Sequence, residues 1–387
     1  MVPTVSSQSS QPDRLFRGLV GLTFLLAVTV IALGAYTRLT EAGLGCPDWP
    51  GCYGFLSVPQ TDAQHAIAQQ VFPDHPVEVH KAWNEMLHRY VAGSLGLLIL
   101  TINLMAWRRR DRPRRLPLVL LGMVIGQAML GMWTVTMALK PVVVMGHLLG
   151  GFTTASLLLL LWLRLANHNR ETGQRQAYPA PPAAGVRRLA VAALVVVALQ
   201  IALGGWTAAN YAAVVCTQLP VCEVDWVSKF DITAFEPWQP GFQTYQYGVL
   251  NFDQRVSIHA AHRIGAMITT FVVLLLVWRL WRIGWRRHAW AVMALLAVQI
   301  GLGVTNVLAS LPLPVAVGHN LGGLCLLLGT LVTCRALYRA RSAAGAVEDH
   351  IAALPQTGFS QTCMKHDRST ASRPGQETLG GMTPKSG

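Results

Sequence analysis

Eight apolar runs restrict this chain more than any other feature. They cover roughly residues 16–37, 84–107, 116–138, 142–165, 188–210, 257–280, 289–310 and 314–337. Each has about 20 residues, the length an α-helix needs to cross the hydrocarbon of a bilayer. Hydrocarbon offers backbone N–H and C=O groups no partner, so such a segment must satisfy them within itself, as a helix. The expected fold is all-α: a polytopic membrane protein with eight transmembrane helices. Composition agrees. Of 387 residues 13% are charged and 52% hydrophobic, where a soluble domain has about 25% charged residues.

A formal charge of +13 does not make the chain a nucleic-acid binder. The basic residues lie in short clusters between apolar runs, without interleaved aromatics, and that is a topology signal. "RRRDRPRR" (108–115), the arginines from Arg164 to Arg188, those from Arg279 to Arg287, those from Arg335 to Arg341, and Arg14 with Arg17 all fall on one side. By the positive-inside rule both termini are cytoplasmic, and the long loops at about 38–83 and 211–256 face outward. The first run carries no small-residue cleavage site and reads as a retained span. From about Ser342 the chain turns Gly-, Ser-, Thr- and Pro-rich and reads as a disordered tail.

The two halves repeat. "LGAYTRLTEAGLGC" at 33–46 matches "LGGWTAANYAAVVC" at 203–216, and "HRYVAG" at His88 matches "HRIGA" at His262. "QAMLG" at Gln127 matches "QIGLG" at Gln299, and "GHLLGG" around His147 matches "GHNLGG" around His319. Offsets stay within 170–174 residues. The expected architecture is two four-helix bundles related by a pseudo-two-fold axis along the membrane normal. The expected divisions are an N-terminal segment 1–15, a first bundle 16–165, a linker 166–187, a second bundle 188–337 and a tail 338–387.

Of twelve histidines, only His88, His147, His262 and His319 combine a place in a span with a repeat partner. Each half places its two on the second and fourth helix at one depth. Two imidazoles on facing helices can ligate one iron from opposite sides, with the bundle core as the apolar pocket of a haem. Gly150 and Gly151 follow His147, Gly322 and Gly323 follow His319, and Ala92 and Ala266 lie one turn after the other two ligands. These small residues suit either a flat macrocycle or close helix–helix contact. Zinc would want a closed tetrahedral set with Cys or carboxylate. Arg89 and Arg263, each directly after a candidate ligand, are candidates for haem propionates, since Arg suits carboxylates.

The seven cysteines include two pairs at equivalent loop positions, Cys46 with Cys52 in "CPDWPGC" and Cys216 with Cys222 in "CTQLPVC". In an oxidising compartment outside a bacterial inner membrane these form two local disulfides, with a redox-active dithiol as the alternative for the first pair. The halves differ at one telling place. Glu85 stands three residues before His88, where the second half has His259 before His262. At i and i+3 the carboxylate shares a helix face with the ligand. A carboxylate at a membrane edge is costly unless used or paired. Glu85 is thus either a salt-bridge partner of Arg89, Lys81 or Arg38, or an acid–base group beside a substrate.

"RLTEAGLGCPDWPGCYG", Glu85-x-x-His88-Arg89, "GHLLGG", the paired loop cysteines and "GHNLGG" together resemble the heme A synthase family over nearly all of residues 14–340. The resemblance implies oxidation of the C8 methyl group of heme O to a formyl group by successive hydroxylations, with water as the oxygen source, to make heme A for cytochrome c oxidase. It implies that His88 and His147 hold heme O as substrate and that Glu85 is catalytic. It further implies that His262 and His319 hold a heme b cofactor and that Cys46–Cys52 and Cys216–Cys222 are the loop disulfides. The implied setting is the bacterial inner membrane, among lipid, with a heme O synthase and oxidase assembly factors as partners and no nucleic acid. Monomer and homo-oligomer both stay open. The main alternative is a bis-histidine di-heme b cytochrome, quinol-linked, that passes electrons without modifying a haem.

Overall fold

A computed structural model describes residues 12–110, 112–168 and 182–352, with side chains described for 14–110, 112–166 and 182–342. Its helices are α1 (Pro12–Leu39), α2 (Asp62–Val71), α3 (Val79–Trp107), α4 (Arg115–Thr136), α5 (Pro141–His168), α6 (Ala184–Ala209), α7 (Phe252–Arg282), α8 (Arg286–Leu308) and α9 (Leu313–Ala352). Among the described residues, eight helices are long and apolar enough to cross a membrane, all but α2. The chain divides into Met1–Ala343 and Ala344–Gly387. Only the last turns of α9 are described in the second unit, and the rest of the expected tail and most of the expected linker lie outside the described residues.

The helices outrun the apolar stretches at their polar ends. The run expected from 257 belongs to a helix that starts at Phe252, capped by Asn251 in a reciprocal box with Gln254. That box satisfies two of the orphan N–H groups of a helix start, so the helix extends into its polar flank. α1 and α5 open on Pro12 and Pro141, where a missing N–H costs nothing. Threonines inside the spans return their hydroxyls to their own helix, as Thr37 does to Leu33 O at 2.9 Å and Thr207 to Leu203 O at 2.8 Å.

Two apolar clusters follow the repeat. One is built from α1, α3, α4 and α5 around Phe16, Ile99, Ile102, Leu120 and Leu158, with Leu324 and Leu328 of α9 added. The other is built from α6, α7, α8 and α9 around Val197, Leu276, Leu280, Val292 and Leu337. Backbone geometry repeats too. α1 ends with left-handed Glu41 (φ 56°) and α6 with left-handed Tyr211 (φ 53°). In each case the next N–H bonds five residues back, Ala42 to Thr37 O and Ala212 to Thr207 O, both at 2.9 Å. This is a Schellman ending. It recurs where Leu139 N–H bonds Thr134 O and Leu311 N–H bonds Asn306 O, each at 2.8 Å.

The loops are structured. The first contains α2, whose Thr61–Gln64 capping box is present in full. The second contains one 3₁₀ turn, Ile232–Phe235. It also reaches over the first half: Tyr245 N–H donates to Ala138 O at 2.9 Å, and Lys140 Nζ lies 3.2 Å from the Trp238 ring centre.

Candidate active site

α3 and α5 bring His88 and His147 opposite one another. Their ring centres are 6.5 Å apart and the ring planes lie at 87°. Two metal–imidazole bonds of about 2 Å each, on opposite sides of one ion, need a separation of that order. Each ring sits against a glycine of a neighbouring helix. A Cβ at Gly34 of α1 would lie 2.9 Å from His88 Cε1, and one at Gly131 of α4 would lie 3.4 Å from His147 Cε1. The second half repeats this, with Gly204 of α6 at 2.9 Å from His262 Cε1 and Gly303 of α8 at 3.1 Å from His319 Cε1. Each of the four imidazoles thus lies against a glycine, too close for a side chain to fit unmoved at Gly34, Gly204 and Gly303 and in ordinary contact at Gly131. The signal lay inside the repeat motifs themselves, in "LGAY"/"LGGW" and "QAMLG"/"QIGLG".

The glycines singled out from sequence divide. Gly151 and Gly323 line the cavity, as do Ala92 and Ala266. Gly150 and Gly322 instead admit glutamines: an added Cβ would meet Gln127 Nε2 at 1.8 Å and Gln299 Oε1 at 2.3 Å. Gln299 Nε2 approaches His319 Nε2 at 3.4 Å, and Gln200 Nε2 lies 3.0 Å from His262 Nδ1. Gln200 has Val30 as its repeat equivalent, so the second pair carries an amide contact from this position that the first lacks.

All four histidines line one cavity of about 2230 Å³, whose walls are mainly Leu, Val, Ala and Gly. Drug-sized ligand pockets run to about 300–1,000 Å³, so there is room for two macrocycles. The opposed imidazoles of the first pair, the glycines beside all four rings and the apolar walls fit iron porphyrins at the histidine pairs.

Glu85 lines the same cavity and is 5% exposed. Its Oε2 accepts from Cys46 N–H at 3.0 Å, and its Oε1 is paired with Arg89. Of the three cations that could pair with it, Arg89 is the partner. In the second half Arg263 Nε donates to His259 Nε2 at 3.1 Å. The acid-to-imidazole exchange therefore occurs within one arrangement shared by the two halves, a side chain held by the arginine one turn on.

Both arginines also line the cavity, and their donors reach the cysteine loops. Arg89 donates to the carbonyls of Asp48 (3.0 Å), Pro50 (3.3 Å) and Gly51. Arg263 donates to the carbonyls of Gln218, Val221 and Cys216. Each staples a cysteine loop to its ligand helix. Inside those loops Cys46–Cys52 and Cys216–Cys222 are disulfide-bonded. Cys325 and Cys334 are free, and Cys363 lies outside the described residues. Asp48 accepts from Tyr53 N–H at 2.6 Å and Gly54 N–H at 2.8 Å. Burial, with the nearby carboxylates of Glu78, Glu85 and Asp48, pushes the Tyr53 hydroxyl up to about 12. In the second loop Glu223 is held down to about 2 by backbone N–H groups, its own first and then those of Gln218 and Thr217, and by the Thr217 hydroxyl.

The sequence matches known proteins over about four-fifths of its length. The chain is 48% identical over 318 residues to the heme A synthase of Shewanella oneidensis, covering 81% of this chain and 94% of that one. It is 29% identical to the heme A synthase of Methylobacterium radiotolerans, covering 86% and 92%. It is 28% identical to that of Caulobacter vibrioides, covering 79% and 91%. The family described as cytochrome oxidase assembly protein, COX15-CtaA, matches residues 17–331. By repeat, fold and these matches, the chain belongs to the COX15-CtaA family of cytochrome oxidase assembly proteins.

Proposed function

We propose that the chain is a heme A synthase, oxidising the C8 methyl group of heme O to a formyl group. One observation carries the reading above the others. Two equivalent histidine pairs line one cavity, but only the first has a carboxylate, Glu85, three residues before a ligand. A plain di-haem cytochrome has no use for that asymmetry.

In this reading His88 and His147 hold heme O as substrate, within the bundle 16–165. His262 and His319, within 188–337, hold a heme b, which supplies the route by which electrons leave. Conversion of the methyl to the formyl takes one oxygen from water and releases four protons and four electrons: CH₃ plus H₂O gives CHO. The intermediate alcohol and geminal diol differ by one hydroxylation, and the diol loses water. Glu85 takes the proton of the attacking water and stabilises positive charge developing at the carbon. Arg89 and the Cys46 N–H hold the carboxylate in place. The disulfide loop closes over it, which keeps bulk water out. We place the protein in the bacterial inner membrane with both termini cytoplasmic, so that the cysteine loops and the haem edges face the oxidising side. A heme O synthase and oxidase assembly factors are the partners this chemistry calls for.

Haem extraction and mass analysis of the purified protein, co-expressed with a heme O synthase, test the reading. Heme A or a hydroxylated heme O beside heme b is expected. Heme b alone, with heme O available, would overturn it in favour of the electron-transfer cytochrome.

A further inference from the structure

Axial ligands leave one degree of freedom open. Two imidazoles fix the iron and the axis through it, but a porphyrin can still turn about that axis. Only one of its peripheral positions is to be oxidised, so something must hold the rim. The charged groups on that rim are the propionates, and Arg89 and Arg263 are committed to loop carbonyls.

Arg38 is placed to do this in the first half. It lies four residues after Gly34 on α1 and so on the same helix face, one turn nearer the loops. Gly34 is the residue against which the His88 ring packs. Arg38 Nη2 donates to Ala208 O at 2.9 Å, at the C-terminal end of α6, and its guanidinium carbon lies 4.0 Å from the centre of the Tyr211 ring. These contacts pin the side chain without neutralising it. Arg38 Nε and the Tyr211 hydroxyl are both buried and lack a hydrogen-bond partner, and both residues line the cavity. The acids lining the cavity are Glu41 and Glu85; Glu85 is paired with Arg89, and the described ion pairs include none to Arg38. A buried guanidinium and phenol with unused donors call for an acceptor. A carboxylate matches both. The position is specific to the first half, because the repeat equivalent of Arg38 is Ala208.

We propose that Arg38, with Tyr211, is a positioning residue that binds a propionate of the porphyrin held by His88 and His147, and so sets which rim carbon faces Glu85. This rests on the reading of that pair as the substrate site. It adds a second asymmetry between the halves, of orientation, to the chemical one at Glu85.

The test is a titration of the full-length protein with iron protoporphyrin and with its propionate dimethyl ester, followed by the low-spin bis-histidine spectrum. His147→Ala identifies which of the two sites is the first pair. Wild type should prefer the free acid at the first pair by about 10- to 100-fold, the worth of one charged hydrogen bond. Arg38→Gln should abolish that preference and leave the second pair unchanged, and Arg38→Lys should retain part of it. An unaltered acid-to-ester ratio in Arg38→Gln would overturn the proposal. Should Arg38→Gln lose both sites through its α6 contact, Tyr211→Phe decides: it removes only the hydroxyl, and an unchanged ratio there overturns the proposal equally. Ester discrimination reads porphyrin binding alone, so it stands or falls separately from formyl formation.

Discussion

Exchanging Gly34 for alanine should evict one porphyrin and leave the other. The added Cβ would lie 2.9 Å from His88 Cε1, closer than carbon atoms approach without a shift. Without porphyrin the His88 ring can swing aside, so folding is little affected. With iron bound the ring is pinned from both sides, and the overlap must be borne by the complex. Overpacking of this kind costs about 1–3 kcal/mol, which corresponds to about 5- to 150-fold weaker binding at the first pair. Gly204→Ala carries the same overlap, 2.9 Å from His262 Cε1, and should weaken the second pair instead. Gly126→Ala is the control: nothing lies within 4 Å of its added Cβ. Alanine there, in mid-helix, should be neutral or stabilising by about 0.5–1 kcal/mol. The assay is porphyrin titration of the three variants, with thermal unfolding of the unliganded proteins alongside. The reasoning fails if Gly34→Ala and Gly204→Ala weaken the same site, or if both bind like the Gly126→Ala control.

Two further outcomes follow from the same geometry. Glu85→Gln keeps the side-chain volume and a contact to the Cys46 N–H, so both porphyrins should bind while formyl formation falls by at least about 100-fold; normal heme A output would remove Glu85 from the chemistry. Arg263→Ala frees three loop carbonyls at a cost of at least about 1.5 kcal/mol, so the Cys216–Cys222 disulfide should be reduced several-fold faster while porphyrin affinity at the second pair changes little. A loss of porphyrin with no change in reduction rate would favour a propionate role for Arg263.

Much of the candidate site was legible in the sequence. Histidine is rare in apolar spans, so four that recur at a fixed offset stood out, and Glu85 stood out against His259. The slots they occupy were printed in the same motifs as Gly34, Gly131, Gly204 and Gly303. Which glycine faces an imidazole and which a glutamine depends on how neighbouring helices are rotated, and periodicity within one helix does not set that. The helix endings were hidden for another reason. Schellman turns usually advertise themselves by glycine at the left-handed position, and here Glu41, Tyr211, Ala138 and Ser310 hold it.

The sequence by itself determined eight helices, their grouping into a twofold repeat and the four histidines that recur across it. Those follow from hydrocarbon length, backbone satisfaction and the rarity of polar residues in spans, all properties of local stretches of chain. Tertiary structure alone decided the partners of the arginines. Arg89 and Arg263 look like propionate ligands beside a histidine, yet their donors go to loop carbonyls some 40 residues away. Arg38, unremarkable at the end of a span, reaches the far half of the chain and keeps a donor free. A guanidinium binds whichever acceptor the fold brings within about 3 Å, and that distance is set by how distant segments pack.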